Sequence, residues 1–505
     1  MTGRAIPPTP GAADDGGEAR LSFPVGQLRS RTARGGVLNA VFLGGTQGIV
    51  LLQGLIVTVL LGPTAIGLYG IVTVTAMSIV ELRRVGIDEA FVQQDSVDQR
   101  AEFEAAFSLE LAIGIGAALL IALSAPIIAL LYGQPELLPL CLAVSYLPIA
   151  FALQAPQWIF FRGMEFLRLR LLQVSIPVVT FAVTVPLAAA GVGVWALVIG
   201  PLAGNLVGIA AAIAISPYRL RFRRDTTAWR RYVRFSSPIF LTSLGMLVMA
   251  QGQIALVGIP NGLAWAGFMT VAVMLTRYAD RADQIVATTI YPAICAIPGR
   301  TAALVELFEK SNRLTLVWTL PFCATLMLFA GDLVNYVLGS EWNLAIPLII
   351  GMALATAVQQ IGYNWFSFFR ANGRSAPQAV ETWVLVFAFL ILAVPGFLIF
   401  GVWGLVAGRV VASFAMLVVR RSYLGDLLPG VSLTKLAIGA GLPLIAAGAV
   451  ILAMRVLIGP DRSAAWVIAE LLLWGLMLVA LYWRRERALW AELRGYLAPV
   501  AEETA

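Results

Sequence analysis

The chain has 505 residues, 59% of them hydrophobic and only 12% charged, with a net formal charge of +7 and a mean hydropathy of +0.85. Soluble domains are about half apolar and about a quarter charged, so this balance excludes a soluble globular protein and describes an integral membrane protein. Histidine is absent and lysine occurs only as Lys310 and Lys435, neither after a glycine-rich loop, which excludes imidazole catalysis, the usual imidazole metal sites and a Walker-type ATPase.

Residues 1–36 are rich in Pro, Gly, Ala and Asp and end in Arg20, Arg29, Arg31 and Arg34. They are expected to be a disordered, basic cytoplasmic tail. They do not form a signal peptide, because the apolar run that follows starts late and is too long. Apolar segments then recur at 37–61, 66–92, 105–131, 137–160, 169–189 and 193–215. After a basic linker (216–234) a second group of six lies within 235–425, two more lie within 426–483, and 484–505 forms a second cytoplasmic tail. A transmembrane helix needs about 20 apolar residues, so the segments make about 14 spans. The fold class expected is an all-α integral membrane protein.

The positive-inside rule orients these spans. With the N-terminus cytoplasmic, the eight cytoplasmic regions and the span ends bordering them carry 28 Arg and Lys, and the outer loops carry one, Arg462. Both termini are therefore expected in the cytoplasm, and the basic residues read as topology anchors rather than as a nucleic-acid surface. The linker 216–234 alone holds seven arginines. It is a topology anchor or a surface for anionic lipid headgroups or a cytoplasmic partner. The outer loops are short, which leaves no outer domain for a catalytic site. Cys141, Cys295 and Cys323 stand singly in apolar stretches, with neither metal spacing nor a disulfide pattern. No enzyme activity and no cofactor are expected.

An internal repeat runs through the spans. GVWALVIG (193–200) returns as GVWGLVAG (401–408), and Phe160-Phe161-Arg162 returns as Phe368-Phe369-Arg370, both at an offset of 208. An even number of spans separates the copies, so they share one orientation. This predicts two six-helix lobes in a parallel repeat about an axis along the membrane normal, plus two extra C-terminal helices.

Ionisable residues inside spans face protein or a watery cavity. The second span holds Glu81, Arg83, Arg84, Asp88 and Glu89, and the eighth holds Arg277, Asp280, Arg281 and Asp283. On a continuous helix Arg277, Arg281 and Gln284 share one face. Such arginines suit diphosphate oxygens, or else they snorkel to headgroups and pair with neighbouring acids. Neutral polar residues recur as Asn39, Thr46 and Gln53 on the first span, Gln251 and Gln253 on the seventh, and Gln360 and Asn364 on the tenth. They hydrate a cavity or bond helices together. With no histidine, any ion coupling needs a carboxylate, and Glu381 and Asp280 are the choices for a Na+ or H+.

The segment LLGPTAIGLYGIVTVTAMSIVELRRVGIDEAFVQQ (60–94), the stretch RYADRADQIVATTIYPAI (277–294) and the loop LGSEWNLAIPL (338–348) together resemble the polysaccharide transporter family. That family consists of oligosaccharide flippases of the multidrug/oligosaccharidyl-lipid/polysaccharide (MOP) exporter superfamily. The resemblance covers roughly residues 37–425. Arg83-Arg84 followed by Asp88-Glu89-Ala90-Phe91-Val92 also resembles the lipid II flippase branch, whose longer arginine set on the first span is missing here. The resemblance implies a flippase in the bacterial inner membrane, with two lobes in an inverted V. It would move a polyprenyl-diphosphate-linked oligosaccharide by alternating access for cell-surface polysaccharide or envelope glycan synthesis. Arg277 and Arg281, and secondarily Arg83 and Arg84, carry over as diphosphate contacts. Membrane lipids, a glycan polymerase and other envelope-assembly proteins are the partners implied. A drug/cation antiporter of the same superfamily and a membrane polymerase or ligase acting on polyprenyl-linked glycans remain alternatives.

Overall fold

A computed structural model describes residues 25–83, 98–163, 165–280, 300–371, 376–459 and 462–487, with isolated positions between them (87, 88, 91, 286, 290, 291, 294 and 374). The described residues are nearly all helical, and no strand occurs among them. In chain order the helices are α1 (Val25–Arg83), α2 (Gln99–Tyr132), α3 (Leu137–Val144), α4 (Leu147–Leu153), α5 (Pro156–Arg162), α6 (Phe166–Ala189), α7 (Ala196–Ala214) and α8 (Thr226–Asn261). They continue as α9 (Leu263–Thr276), α10 (Thr301–Leu333), α11 (Ile346–Gln360), α12 (Trp365–Ala371), α13 (Ala376–Ala388), α14 (Val394–Leu427), α15 (Leu433–Ile458) and α16 (Ala464–Arg485).

Eleven stretches among the described residues are long and apolar enough to cross a membrane. Two of them contain breaks. Gly62 (φ 71°, ψ 174°) interrupts α1 and Gly401 (φ 62°, ψ −142°) interrupts α14, where the apolar pattern also pauses. At 1.5 Å per residue an unbroken 59-residue α1 would far exceed a bilayer. The shorter apolar helix α9 has 14 residues. The helices therefore establish a multi-span membrane protein without fixing the total of fourteen.

The helix starts follow from local chemistry. Asp98, Asp225, Ser432 and Ser463 each cap the helix that follows by accepting from a backbone N–H of its first turn. The ninth span begins earlier than its hydropathy suggests. The apolar pattern starts at 314, yet α10 starts at Thr301. Its first turns are charged, and Glu306 pairs with Lys310 at 2.6 Å, so helix continues beyond the apolar stretch.

The chain divides into two compact units. The division is one of compactness and does not follow the repeat. The first unit comprises the chain up to Val271 together with Gln378–Val386. Within it α6 packs along α7, and α1 contacts α2, α6 and α8. The linker after α7 folds back onto the start of α2: Trp229 Nε1 donates to the Ala105 carbonyl at 3.1 Å, and the Arg223 N–H donates to Ser108 Oγ at 2.7 Å. Burial beside Phe103 pushes the Tyr218 phenol up. Arg219, Arg221, Arg223, Arg224 and Arg230 stay exposed. In the second unit α10 packs against α11 and α15, and α11 against α14. Phe308, Leu316, Trp365, Phe368, Leu424 and Leu428 form part of its core. The two extra helices seat Trp474, Leu478 and Ile451 against Phe329 of α10.

Two local geometries recur along the chain. Gly262 (φ 93°, ψ 177°) breaks the chain before α9 as Gly62 breaks it before Pro63. The two segments that follow meet reciprocally. A Cβ on Gly67 would lie 2.0 Å from the Leu263 carbonyl oxygen, and a Cβ on Gly267 would lie 2.0 Å from the Pro63 carbonyl oxygen. The Phe-Phe-Arg motif also repeats its contact. Arg162 lies over the Phe91 ring and Arg370 over the Tyr291 ring, each at 5.8 Å, and Arg162 donates to the Phe91 carbonyl at 3.0 Å. Such cation–π contacts are worth about 0.5–1 kcal/mol at exposed sites.

Candidate functional site

The tenth span does not cross as one helix. It stops at Gln360, turns through Ile361–Asn364 and resumes at Trp365. Gly362 makes the turn possible: its φ is +73°, and a Cβ there would lie 2.7 Å from Leu433. Arg420 of α14 is fully buried and donates to two carbonyls of the break, those of Gln359 at 2.5 Å and Ile361 at 2.6 Å. A broken span needs such a partner, because freed backbone groups cannot reach water at that depth.

Two residues singled out by sequence flank the break. Gln360 Nε2 donates to Asp280 Oδ1 at 2.5 Å, and Asn364 Nδ2 donates to Ser311 Oγ at 2.6 Å. The junction is closed by Ala279, Cys323 and Ala353, which bring the chain after α9 against α10 and α11. Asp280, read as an ion-coupling acid, and Gln360, read as a cavity residue, are thus direct partners. Asn312, Ser311, Thr315 and Thr319 of α10 join the same buried polar face and were absent from the sequence reading. Asn312 fell outside the apolar pattern that marked the ninth span. Among the described residues several polar atoms here have no partner: Asn312 Nδ2 and Oδ1, Gln360 Oε1 and Asn364 Oδ1. Leaving one such atom unmet costs about 1–3 kcal/mol.

The first unit carries the counterpart. The fourth span breaks at Gln154–Ala155, between α4 and α5. There the amides form a continuous chain. Gln154 Nε2 donates to Asn205 Oδ1 at 2.9 Å, Gln157 to Gln154 at 3.1 Å, Gln173 to Gln157 at 3.3 Å, and Arg170 to Gln173 at 2.5 Å. Asn205 and Tyr146 line a cavity of about 180 Å³ with Tyr69 and Thr73. In the second unit the Gln359 amide meets Ser413 Oγ at 3.0 Å. With its oxygen turned to the guanidinium it accepts from the buried Arg409 at 2.8 and 3.0 Å. Asn205 and Ser413 are 208 residues apart, the offset of the repeat, whereas Gln154 falls opposite Gly362 rather than Gln359.

The remaining sequence-predicted residues are dispersed. Arg277 is exposed, in a turn at 277–278 just after α9, so the face expected to join it to Arg281 and Gln284 runs across that turn. Arg84, Arg281 and Gln284, and the side chains of Asn39 and Arg83, lie outside the described residues. Thr46 bonds its own helix at the Phe42 carbonyl (2.7 Å), and Gln53 is half-buried. Gln251 donates to Thr75 Oγ1 at 2.9 Å and Gln253 to the Met249 carbonyl at 2.9 Å. Both act as helix-to-helix or intrahelical bonds. Glu381 is buried on α13.

A second charged set sits on the extra helices. Arg455 bonds Asp332 at 3.0 Å and Glu470 at 2.9 Å, and Arg462 bonds the same two acids at 2.6 and 2.8 Å. Arg462 is the one outer-loop cation of the sequence reading. It is neutralised here by the two acids.

The comparisons with known proteins agree with this fold. The model of a family described as polysaccharide biosynthesis protein matches residues 56–347, more than half of the chain. The chain belongs to that family. No curated protein matches it. Among solved structures it is similar to lipid II flippase MurJ in an inward closed conformation, with a TM-score of 0.70 at 13% identity over 90% of this chain and 99% of that one. It is similar to an inward-facing multidrug resistance MATE family transporter of the MOP superfamily, with a TM-score of 0.61 at 17% identity over 77% and 96% of the two chains. A MOP superfamily transporter from Pyrococcus furiosus, noted for the reverse polarity of its binding pocket, gives a TM-score of 0.58 at 16% identity over 80% and 99%. At these identities the likeness is one of fold, which the chain shares with these transporters.

Proposed function

We propose that the protein is a flippase that moves a polyprenyl-diphosphate-linked oligosaccharide across the bacterial inner membrane by alternating access, with both termini cytoplasmic and about fourteen spans. The observation that carries this reading is the polysaccharide biosynthesis family match over residues 56–347 on a chain with a MOP-transporter fold. The structure named as lipid II flippase MurJ, similar over 90% of this chain, supports a lipid-linked substrate. Arg277, exposed at the end of α9, is the described residue best suited to a diphosphate, since a guanidinium meets such oxygens in a bidentate fork. Arg281, Arg83 and Arg84 complete the proposed set. Transport in this reading needs no covalent chemistry and no cofactor. A glycan polymerase and other envelope-assembly proteins are the proposed partners.

The test is mass spectrometry of lipid-linked glycans in cells with and without the protein. Accumulation of a polyprenyl-diphosphate oligosaccharide on depletion is expected, and its mass identifies the glycan. A change in drug efflux alone would replace the flippase with an antiporter. A change only in polymer length would replace it with a polymerase or ligase role.

A further inference from the structure

The flippase reading leaves one strongly charged surface unused. The linker 216–234 holds seven arginines, one acid and no lysine. The acid acts locally: Asp225 accepts from the Thr227 and Ala228 N–H groups, both at 3.0 Å, and caps α8. Acids at the start of α2, where the linker lies, are likewise engaged. Asp98 accepts from the Ala101 N–H at 2.9 Å, and Glu104 pairs with Arg100 at 3.1 Å. Arg219, Arg221, Arg223, Arg224 and Arg230 are exposed, and no ion pair to any of them occurs among the described residues.

These arginines are held in order. Tyr218 and Leu220 pack into the cluster that contains Phe91, Phe103 and Phe107. In extended chain successive side chains point to opposite sides, so Arg219 and Arg221 turn outward. Ser108 Oγ accepts from the Arg223 N–H at 2.7 Å and reaches the Arg221 carbonyl at 3.5 Å, which fixes the backbone between them. An ordered set loses less freedom on binding than a loose loop. Phe222 stands among the arginines with 64% of its surface exposed, edge-on to Trp229 at 6.4 Å. The place of the set along the chain indicates its partner. The end of α7, a candidate span, leaves Ile213 and Ile215 exposed, an apolar pair suited to lipid. Arg219 follows Ile215 by four residues, at most about 14 Å of chain, which keeps it within reach of the headgroups. Guanidinium forks match phosphate oxygens, and an exposed ring beside cations suits the boundary between headgroups and acyl chains. An acidic protein or a nucleic acid would use the arginines but not Phe222 or the exposed isoleucines.

We propose that Arg219, Arg221, Arg223 and Arg224, with Phe222 between them, form a binding surface for anionic phospholipids such as phosphatidylglycerol. Arg230, exposed in the first turns of α8, extends it. The surface fastens the junction of α7 and α8 to the membrane plane. It is independent of the flippase reading, because it needs no glycan and no particular leaflet.

The experiment uses the full-length protein purified in detergent and titrated with phosphatidylglycerol or with phosphatidylcholine of the same acyl chains. Native mass spectrometry counts the lipids retained, and limited trypsin digestion times cleavage after Arg219, Arg221, Arg223 and Arg224. Wild-type protein should retain phosphatidylglycerol over phosphatidylcholine, and only phosphatidylglycerol should slow cleavage of the linker. Arg219→Gln, Arg221→Gln, Arg223→Gln and Arg224→Gln, made together, should weaken phosphatidylglycerol binding at least tenfold, since each arginine near an anionic surface contributes roughly fivefold. The same four positions changed to Lys should keep a preference. Raising the ionic strength from about 0.1 M to about 1 M shortens the screening length from ~10 Å to ~3 Å and should weaken wild-type binding far more than that of the Gln variant. Phe222→Ala should weaken binding at both ionic strengths. The digestion of wild-type protein serves if the Gln variant misfolds. Equal retention of the two lipids, affinity unchanged in the Gln variant, or a linker cut equally fast with either lipid would overturn the surface. Loss of a co-purifying acidic protein from the Gln variant, with lipid retention unchanged, would assign the arginines to that protein instead. Lipid preference without glycan accumulation on depletion leaves the surface standing and removes the flippase. Glycan accumulation without lipid preference does the reverse.

Discussion

At the scale of single residues the proposed diphosphate contact tested first is Arg277. It is exposed, and no ion pair to it occurs among the described residues. A hydrogen bond to a charged group contributes about 1.5–3 kcal/mol, which corresponds to roughly a tenfold to hundredfold change in a rate or affinity. Arg277→Ala is therefore expected to reduce export of the lipid-linked glycan by at least about tenfold at unchanged membrane abundance, and Arg277→Lys to fall between. Pulse-labelling of surface glycan with immunoblotting of the variant checks both. Export at the wild-type rate in Arg277→Ala would remove this residue from the diphosphate set. Much of the polar inventory around it was legible, because an Asp or Gln inside an apolar run stands out. Its pairing was not. Asp280 and Gln360 are 80 residues apart, and only the packing of the chain after α9 against α10 and α11 brings them together. Asn312 stayed hidden for a different reason: hydropathy locates the membrane, not the helix, and α10 begins before the apolar stretch.

At the scale of elements the two C-terminal helices are fastened by charge as well as by apolar contact. Asp332 of α10, Arg455 of α15, Arg462 and Glu470 of α16 form a balanced set of two cations and two anions, and Glu470 is 0% exposed. Removing one member of a buried pair costs about 3–5 kcal/mol, because the partner is left uncompensated. Glu470→Gln and Asp332→Asn are each expected to lower the unfolding temperature of the purified protein by several degrees. Arg455→Met combined with Glu470→Gln should cost less than the sum of the single changes. Additive losses in a double-mutant cycle would show that these groups do not act as one network. A second element-scale expectation concerns the reciprocal glycines. A Cβ on Gly267 would meet the Pro63 carbonyl oxygen, which is backbone and cannot swing away. Gly267→Val should reduce folded yield, and Gly44→Val, at a position with open space around it, should not. Fluorescence size-exclusion profiles of the two variants decide this. The sequence marks both glycines only as small residues in apolar segments. Their close approach depends on two helices from different copies of the repeat, which no local pattern encodes.

At the scale of the whole molecule, arrangement follows from where charge is allowed. Arg and Lys cluster between alternate expected spans, and that pattern carries the proposed orientation. The most basic segment, the linker after α7, is pinned to the start of α2 by Trp229 and Ser108 while its arginines stay exposed. Arg462, the cation expected on the opposite side, is taken up by two acids. The helix count was not legible from hydropathy alone: α1 and α14 run on past glycine breaks at 62 and 401, while the break at Ile361–Asn364 divides one span into two helices. Orientation is open to direct measurement because the two sides expose different residues. In a background with Cys141, Cys295 and Cys323 replaced by Ala, Glu136→Cys lies in the loop after α2 and Arg223→Cys in the linker, and both positions are exposed. A membrane-impermeant maleimide added to intact cells, with access to the periplasm, should label Cys at position 136 and not at 223. Permeabilising the inner membrane should expose 223. Labelling of 223 in intact cells with protection of 136 would invert the molecule. The exposed linker arginines would then face outward, and loading of the substrate from the cytoplasmic leaflet would have to be assigned to the opposite end of the helices.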